Sequence, residues 1–432
     1  MASVHVAYRR RLALLADDAA ILGAMGEWSA GRAQDPPQWQ RTYGRFLPAS
    51  AMDATPTHRP SAPSAPAARP HERRPYAIVV FERMHPRQEI RTVELYDVEP
   101  DGTSYARVVE HAELGWLAES RFPSDRRLPT LADALARAGD GVVVRYRPGR
   151  RCTFRVDRID ATFFCKVFPD DTGRRLHEEA QQLWAASERG ELGFAVAEPV
   201  AWDADTRTLW QRSVGGVSIG PLLAGADALD FARRLGHAAG TIVSARITPG
   251  ARFDSDVQCE RSHSYARELS ARVPALTGAL TGLMATLESV HRDCGARQVP
   301  IHGAPHMNQW LGIGRGFGLV DFDRLSTGDP ELDVATFLGE LDFEDGLTCS
   351  MDDIAPAFIA GYEESAGPLD PRLLAAYRAH KRLAKALRSA RALRPDGDVR
   401  AERHLGSAVA ALDDAAQRSP EPVTWRLGDL VG

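Results

Sequence analysis

Two stretches carry residues whose types and spacing can do chemistry: "IHGAPHMNQWL", residues 301–311, and "GLVDFDRLSTGDPELDVATFL", residues 318–338. The second sets Asp321 and Asp323 directly after an apolar, strand-like run. Carboxylates at a strand end suit a hard cation such as Mg²⁺. Asp329 and Asp333 follow on "GDPELD", where Asp and Pro ahead of an apolar run also read as a helix start. Upstream, Lys166 lies in the strand-like "TFFCKVF", and Glu178 and Glu179 sit in the helix that opens after it. A cation for phosphates, carboxylates for a metal and a group facing an acceptor hydroxyl are the parts that phosphoryl transfer needs.

Two other motifs compete for the same residues. His302 and His306 have zincin spacing, but a zincin needs Glu after the first His on a continuous helix, and Gly303 and Pro305 argue against both. "GIGRGFG", residues 312–318, lies between two strand-like runs and does not open a helix, so it reads as a hairpin turn.

The elements that must position these groups change character along the chain. Residues 1 to about 45 read as helical from the periodicity of "RRLALLADDAAILGAM". A Pro/Ala/Ser-rich linker at 57–75 follows, then paired strands at "YAIVVFERM" and "IRTVELYDV", and residues 1–128 form an extra N-terminal module. From "LPTLADALARAGDG" a helix leads into "VVVRYR", "CTFRVD" and "TFFCKVF", an antiparallel meander with turns at Pro148-Gly149 and Asp157–Asp160. A helix near "RRLHEEAQQLWAAS" and strands at "VAEPVAWD" and "TLWQRSV" complete a small sheet over 129–216. Residues 217–432 are almost wholly helical to 417, apart from 299–326. Strands first and helices afterwards predict an α+β, two-lobed chain with a ligand cleft between the lobes.

The 432 residues carry a net charge of −5, with 44% hydrophobic and 26% charged residues, a globular composition that gives no reason to expect nucleic acid as a partner. Asp17 and Asp18 interrupt the first apolar run, and no later one reaches the length of a membrane span. The 5 cysteines are scattered, without a C-x-x-C pair, which predicts a reducing, cytoplasmic setting.

From about 129 to 417 the chain resembles the aminoglycoside phosphotransferase and choline kinase family, which has a protein-kinase-like fold with a small antiparallel β N-lobe and a mostly helical C-lobe. The family's catalytic loop reads H-G-D-x-H-x-x-N, with Gln in place of Asn in some members; here it is "HGAPHMNQ". His302, Gly303, His306 and Gln309 match, and Ala304 holds the place of the catalytic aspartate. The resemblance implies ATP and Mg²⁺, with Asp321 and Gln309 as metal ligands, Asn308 as the fallback amide, and Asp323 beside them. It implies Lys166 on the nucleotide phosphates, Glu179 paired with Lys166, and "RYRPGRRCTFRV" as the phosphate-covering hairpin with Arg150 on its turn. Backbone near Gln211 to Ser213 would meet adenine, and Asp329 and Asp333 would brace the catalytic loop.

Alanine can neither take a proton nor orient a hydroxyl. The expected activity is therefore ATP-dependent phosphorylation of a small-molecule hydroxyl in a form that lacks its base. A natural pseudokinase acting as sensor or scaffold is the alternative. The acidic "ELDFEDG", residues 340–346, suits a cationic acceptor such as an amino sugar or a choline-like amine, and equally a solvated helix end. Relatives in this family modify sugars, amino alcohols, antibiotics and peptide Ser/Thr side chains, so the N-terminal module is a place for a peptide or protein partner.

Overall fold

A computed structural model describes residues 11–25, 39–47, 74–84, 87–100, 105–341 and 351–418. Its first sheet comprises β1 (Gln40–Phe46), β2 (Ala77–Arg83), β3 (Glu89–Tyr96), β4 (Arg107–His111) and β5 (Gly115–Arg121), antiparallel in the order β1-β2-β3-β5-β4. β2 and β3 are the runs whose β-branched and aromatic residues predict strands. β1 departs from expectation, because "QRTYGRF" falls in a stretch read as helical yet pairs with β2 from Gln40↔Glu82 to Phe46↔Ala77. Its sequence has no apolar stripe for a helix to bury, so pairing with β2 decides its conformation. The described helical residues of this region end near Met25. Leu15, Ile21 and Met25 pack on Val79, Phe81, Val93 and Leu95, and Leu393 joins this core from near the other end of the chain. Of the Pro-rich stretch 57–75, only residues 74 and 75 are among those described.

The second sheet runs β6 (Val142–Arg147), β7 (Arg151–Asp157), β8 (Thr162–Val167), then β10 (Thr208–Arg212) and β9 (Pro199–Asp203), again antiparallel. Cys152, Phe154, Val156, Cys165 and Val167 form a core with the helix Leu131–Ala138. Strand alternation therefore turns Arg151, Thr153 and Lys166 to the opposite face. Thr153 pairs in register with Lys166, which puts both on one line across the sheet.

After residues 213–216 the chain pairs Val217–Ser218 with Trp310–Ile313, and that strand forms a hairpin with Gly316–Leu319, as "GIGRGFG" predicts. The C-terminal part is helical: Ala228–Gly240, Ser255–Arg272, Thr277–Asp293, Glu331–Leu341, Met351–Ala366, Pro371–Arg391 and Gly397–Arg418. Among these, Ala228–Gly240 and Met351–Ala366 touch backbone to backbone, since a Cβ on Gly236 would run into the Phe358 carbonyl. Val299–Ile301 pairs antiparallel with Ser326–Gly328, which brings the loops 302–309 and 320–325 side by side. Among the described residues, no helix is long and apolar enough to cross a membrane.

The two N-terminal sheets are tied together at an exposed edge. Gln88 donates to the Val143 carbonyl (2.8 Å) and accepts from the Val143 amide (2.9 Å), so its side chain imitates a neighbouring strand on β6. Asp125 accepts from the Gly149 amide (2.7 Å) and the Tyr146 hydroxyl (2.8 Å), which fixes the β6–β7 turn. Leu393, 5% exposed, joins the first sheet to the helical part. Leu393→Ala is expected to lower unfolding free energy by about 2–5 kcal/mol, read as a lower urea midpoint. An unchanged midpoint would remove Leu393 from that shared core.

Candidate active site

The loop after Ile301 is fixed from below by buried acids. Asp333 accepts from the backbone amides of His302 (2.7 Å) and Gly303 (2.8 Å), and burial pushes its carboxyl up to about 6. Gly303 has φ +80°, and a Cβ there would meet the Arg324 carbonyl, so glycine is required on both counts. Asp329 accepts from the Arg297 amide (2.7 Å) and the Tyr377 hydroxyl (2.6 Å). The Ala304 amide lies 3.3 Å from His302 Nδ1, which places the ring proton on Nε2, 3.2 Å from the Val320 carbonyl. Burial lowers His302 to about 4, so the ring is neutral and serves to join the two loops. Ala304 itself is buried, and its carbonyl accepts from the His306 amide (2.9 Å).

Across from this loop the sheet delivers its cations. Lys166 Nζ lies 2.5 Å from Asp321 Oδ1 and 2.6 Å from Asp323 Oδ1. Arg151 reaches Asp321 at 3.4 Å and forms a contact ion pair with Asp323. Burial pushes the Asp321 carboxyl up, but Lys166 and then Arg151 override it, and the group stays ionised far below the ordinary carboxylate range. Asp321 also adopts φ +69°, a left-handed conformation unusual for a side-chain-bearing residue and typical of sites where geometry is held against strain. Gln309 Nε2 is 3.3 Å from Asp321 Oδ2, while its Oε1 accepts from the His306 amide (2.6 Å).

Several expected positions are rearranged. Lys166 does not pair with Glu179: Glu179 Oε1 accepts from Arg175 (2.6 Å) and the Gly250 amide (2.9 Å), and its buried Oε2 has no hydrogen-bond partner. Two adjacent carboxylates attract the ammonium more than one already satisfied on its other oxygen. Arg150 is exposed on the β6–β7 turn, and the neighbouring Arg151 is the arginine that reaches the acids. Asn308 is exposed, and Gln309 is the amide that faces Asp321. At the passage between sheets, Gln211 pairs with Phe164, and the Ser213 amide is bonded to the Thr162 carbonyl (2.8 Å).

Arg151 and Arg147, which pair across the β6–β7 turn, were both within reach of sequence reasoning. Arg151 alternates with the core residues Cys152 and Phe154 and so shares the Lys166 face. Asp125 carries no such signal, because its partners lie 21 and 24 residues away. Of the acidic run 340–346, Glu340 is near Lys385 (3.5 Å) and His306 (3.6 Å), and residues 342–346 lie outside those described. A second cluster, Cys259, His291 and His380, is closed on itself. His380 bonds Ser262 (2.6 Å) and His291 (2.9 Å), and burial pushes the Cys259 thiol up to about 11.

The buried histidine gives a pH signature. With a folded pKa of about 4 against an ordinary 6.5, His302 binds its proton first in the unfolded chain, so its contribution to stability is lost as pH falls through that window. Asp333, raised to about 6, acts in the opposite sense, favouring the fold when protonated. Subtracting urea-unfolding curves of His302→Gln from those of the parent isolates the histidine. The stability difference should shrink as pH falls from about 7 to about 4.5; a pH-independent difference would mean that folding leaves the pKa of the ring unchanged.

No curated protein matches the chain. Solved structures that superpose include the choline kinase LicA from Streptococcus pneumoniae, 13% identical over 64% of this chain and 94% of that one, with a TM-score of 0.46. An aminoglycoside-3′-phosphotransferase of type VIII is 21% identical over 60% and 99%, at 0.46. A choline/ethanolamine kinase family protein from Mesorhizobium loti is 15% identical over 68% and 96%, at 0.45. Such distant superpositions carry no argument about substrate. The sequence itself is decisive: residues 149–380, more than half of the chain, match the phosphotransferase enzyme family from the β6–β7 turn through both loops of the site, and the chain belongs to that family.

Proposed function

We propose that this chain binds ATP with Mg²⁺ in the cleft between β7–β8 and the loops at 302–309 and 320–325, and that the site is built to phosphorylate a hydroxyl of a small molecule. The observation that carries the reading is the Lys166 ammonium seated between Asp321 and Asp323, at 2.5 and 2.6 Å. A protein cation occupies the place where two acceptor-only carboxylates would hold a metal, and two further cations, Arg151 and Arg147, stand beside it. An incoming triphosphate exchanges partners with this cluster: Lys166 and Arg151 turn to phosphate oxygens and the acids are released for a divalent ion. The free Oε2 of Glu179 is then a ready partner for Lys166.

Asp321 and Asp323 supply hard oxygen ligands, and the Gln309 amide oxygen keeps a second lone pair beside its bond to the His306 amide. Mg²⁺ held there would neutralise charge on the transferred group. Neutral His302 and ionised Asp333 hold the loop rigid at the acceptor side. Arg150 lies on the turn that would cover the phosphates, and the segment Gln211–Ser213 lies where the base would sit. Use of the Ser213 amide by adenine requires its bond to Thr162 to open.

Ala304 fits two readings. In the first, a working kinase has had its proton-accepting aspartate replaced; the retention of every other part of the site favours it. In the second, a natural nucleotide-binding protein acts as a sensor or scaffold. Acceptors of the aminoglycoside, sugar or amino-alcohol classes are the family's precedent, in resistance or in biosynthesis. A peptide Ser/Thr acceptor would engage residues 1–128, with 129–216 and 217–432 as the two lobes. The four free cysteines among the described residues support a cytoplasmic setting.

ATP with Mg²⁺ is expected to raise the unfolding temperature of this chain, and Lys166→Ala should abolish the shift. No shift with the unmodified chain would defeat the reading. Restoring the carboxylate by Ala304→Asp should raise turnover by roughly a hundredfold to ten-thousandfold in an acceptor-screening assay. An inactive Ala304→Asp protein that still binds nucleotide would favour the sensor.

A further inference from the structure

Beside the loop at 302–304 stands a second group of cations that the nucleotide groups do not use. Arg324 follows the metal-binding segment and lies against the loop: a Cβ on Gly303 would stand 3.1 Å from Arg324 Cβ. Lys381 projects from the Pro371–Arg391 helix, where a Cβ on Gly339 would stand 3.9 Å from its own Cβ. Arg388 lies about two turns further along that helix. Arg261 comes from the Ser255–Arg272 helix, packs over the Phe253 ring (4.7 Å) and donates to Tyr265 (3.3 Å).

These charges have no acid in direct contact among the described residues, although Asp333 and Glu340 act on Lys381 and Asp321 on Arg324 at longer range. Among the described residues, the side chains of Lys381, Arg324 and Arg388 make no hydrogen bond or ion pair. The acids nearby are already engaged. Glu340 faces Lys385 and His306, Glu268 binds Arg272 and Arg391, and Asp333 accepts from two backbone amides. Burial, followed by the charges of Arg324 and Arg261, pushes the Lys381 ammonium down to about 7 against the pull of Asp333 and Glu340. Arg324 and Arg388 keep access to solvent, Lys381 is half-buried, and burial lowers Arg324 as well. Partly desolvated cations in excess over the acids that act on them, beside the loop at 302–304, repel one another and are relieved by a bound anion.

Resting on the phosphotransferase reading of this site, we infer that its acceptor is an anionic hydroxyl compound, whose phosphate or carboxylate group is held by Lys381, Arg324 and Arg388 beside the loop at 302–304. This departs from the amino-sugar or choline-like acceptor suggested by the acidic stretch at 340–346, because Glu340 is engaged by Lys385 and His306 and, among the described residues, Lys381, Arg324, Arg388 and Arg261 outnumber the acids that act on them.

Calorimetric titration of the unmodified chain with glucose, glucosamine, gluconate and glucose 6-phosphate tests it on one hydroxyl scaffold. Gluconate or glucose 6-phosphate should bind at least about tenfold tighter than glucose, and glucosamine weakest; which anion leads tells carboxylate from phosphate. That advantage should disappear in Lys381→Gln and Arg324→Gln and persist in Lys166→Ala. An advantage lost only in Lys166→Ala would place the anion among the nucleotide groups and overturn the inference. Lys381→Met should raise the unfolding temperature of the ligand-free chain by removing an unbalanced charge; a fall would mark a structural lysine and overturn it too. ATP–Mg²⁺ binding on the same sample separates the two ideas. Anion preference without ATP binding ends the phosphotransferase reading and leaves the anion site standing. ATP binding with a preference for glucose or glucosamine does the reverse.

Discussion

Opposite charges meeting across the cleft set the conditions for everything around them. Asp321 and Asp323 share one ammonium and one guanidinium, delivered by β7 and β8 from the far side of the cleft. Without those cations, two neighbouring carboxylates would repel each other and the left-handed conformation at Asp321 would have no compensation. Yet the cluster is not a strong clamp. Desolvation of both signs offsets most of the Coulomb attraction in such a site, so the intact cluster contributes little net stability, whereas deleting one partner strands a charge at a cost of about 3–5 kcal/mol. A cluster that is weak when whole and expensive when broken is well suited to exchange. Phosphates can take the cations and a metal the acids, with every charge matched before and after.

That exchange requires rigid walls. On one side, the register of Thr153 with Lys166 and of Lys166 with Leu209 fixes where the ammonium emerges. On the other, the loop carrying Ala304 hangs from Asp333 through two amides and from Val320 through a neutral imidazole. Neutrality matters here, because a charged His302 in the same place would compete with Lys166 for the acids. Position 304 thus lies in a loop whose geometry does not depend on its own side chain, and for that reason alanine leaves the surroundings in order.

Much of this was legible in the sequence where a short period or a tight spacing encodes it. The meander strands, the hairpin at 312–318 and the adjacency of His302–Gln309 to Asp321 follow from alternation, turn residues and motif spacing. The unread parts depend on contacts between distant residues. β1 has no local pattern that distinguishes a strand, and only its pairing with β2 makes it one. Chain order suggests Glu179 as the partner of Lys166, whereas the ammonium lies between two acids brought from a distant loop, Asp321 and Asp323. Arg324, Lys381 and Arg388 look like ordinary surface cations in a linear reading; their meaning comes from a loop and a helix distant in sequence meeting where the acids are already engaged.

The N-terminal sheet adds a constraint that the two-lobed family pattern does not supply. Gln88 and Asp125 hold the β6–β7 hairpin from one side, while Leu393, beyond the end of the Pro371–Arg391 helix, enters the core of the same sheet. The cleft is therefore bridged twice, at residues 213–216 and again through this sheet, so opening must strain one bridge or be small. β1 lies along the second bridge. Its Arg45 is pushed down by burial, feels Tyr43, and then feels Arg150 of the hairpin and Arg391 of the helix. Those neighbours come from the hairpin and from the helical part, and Glu268 of the Ser255–Arg272 helix adds an opposite charge. The added sheet thus places β1 in the shared field of the hairpin and the helical part, and ties the motion of one to the other.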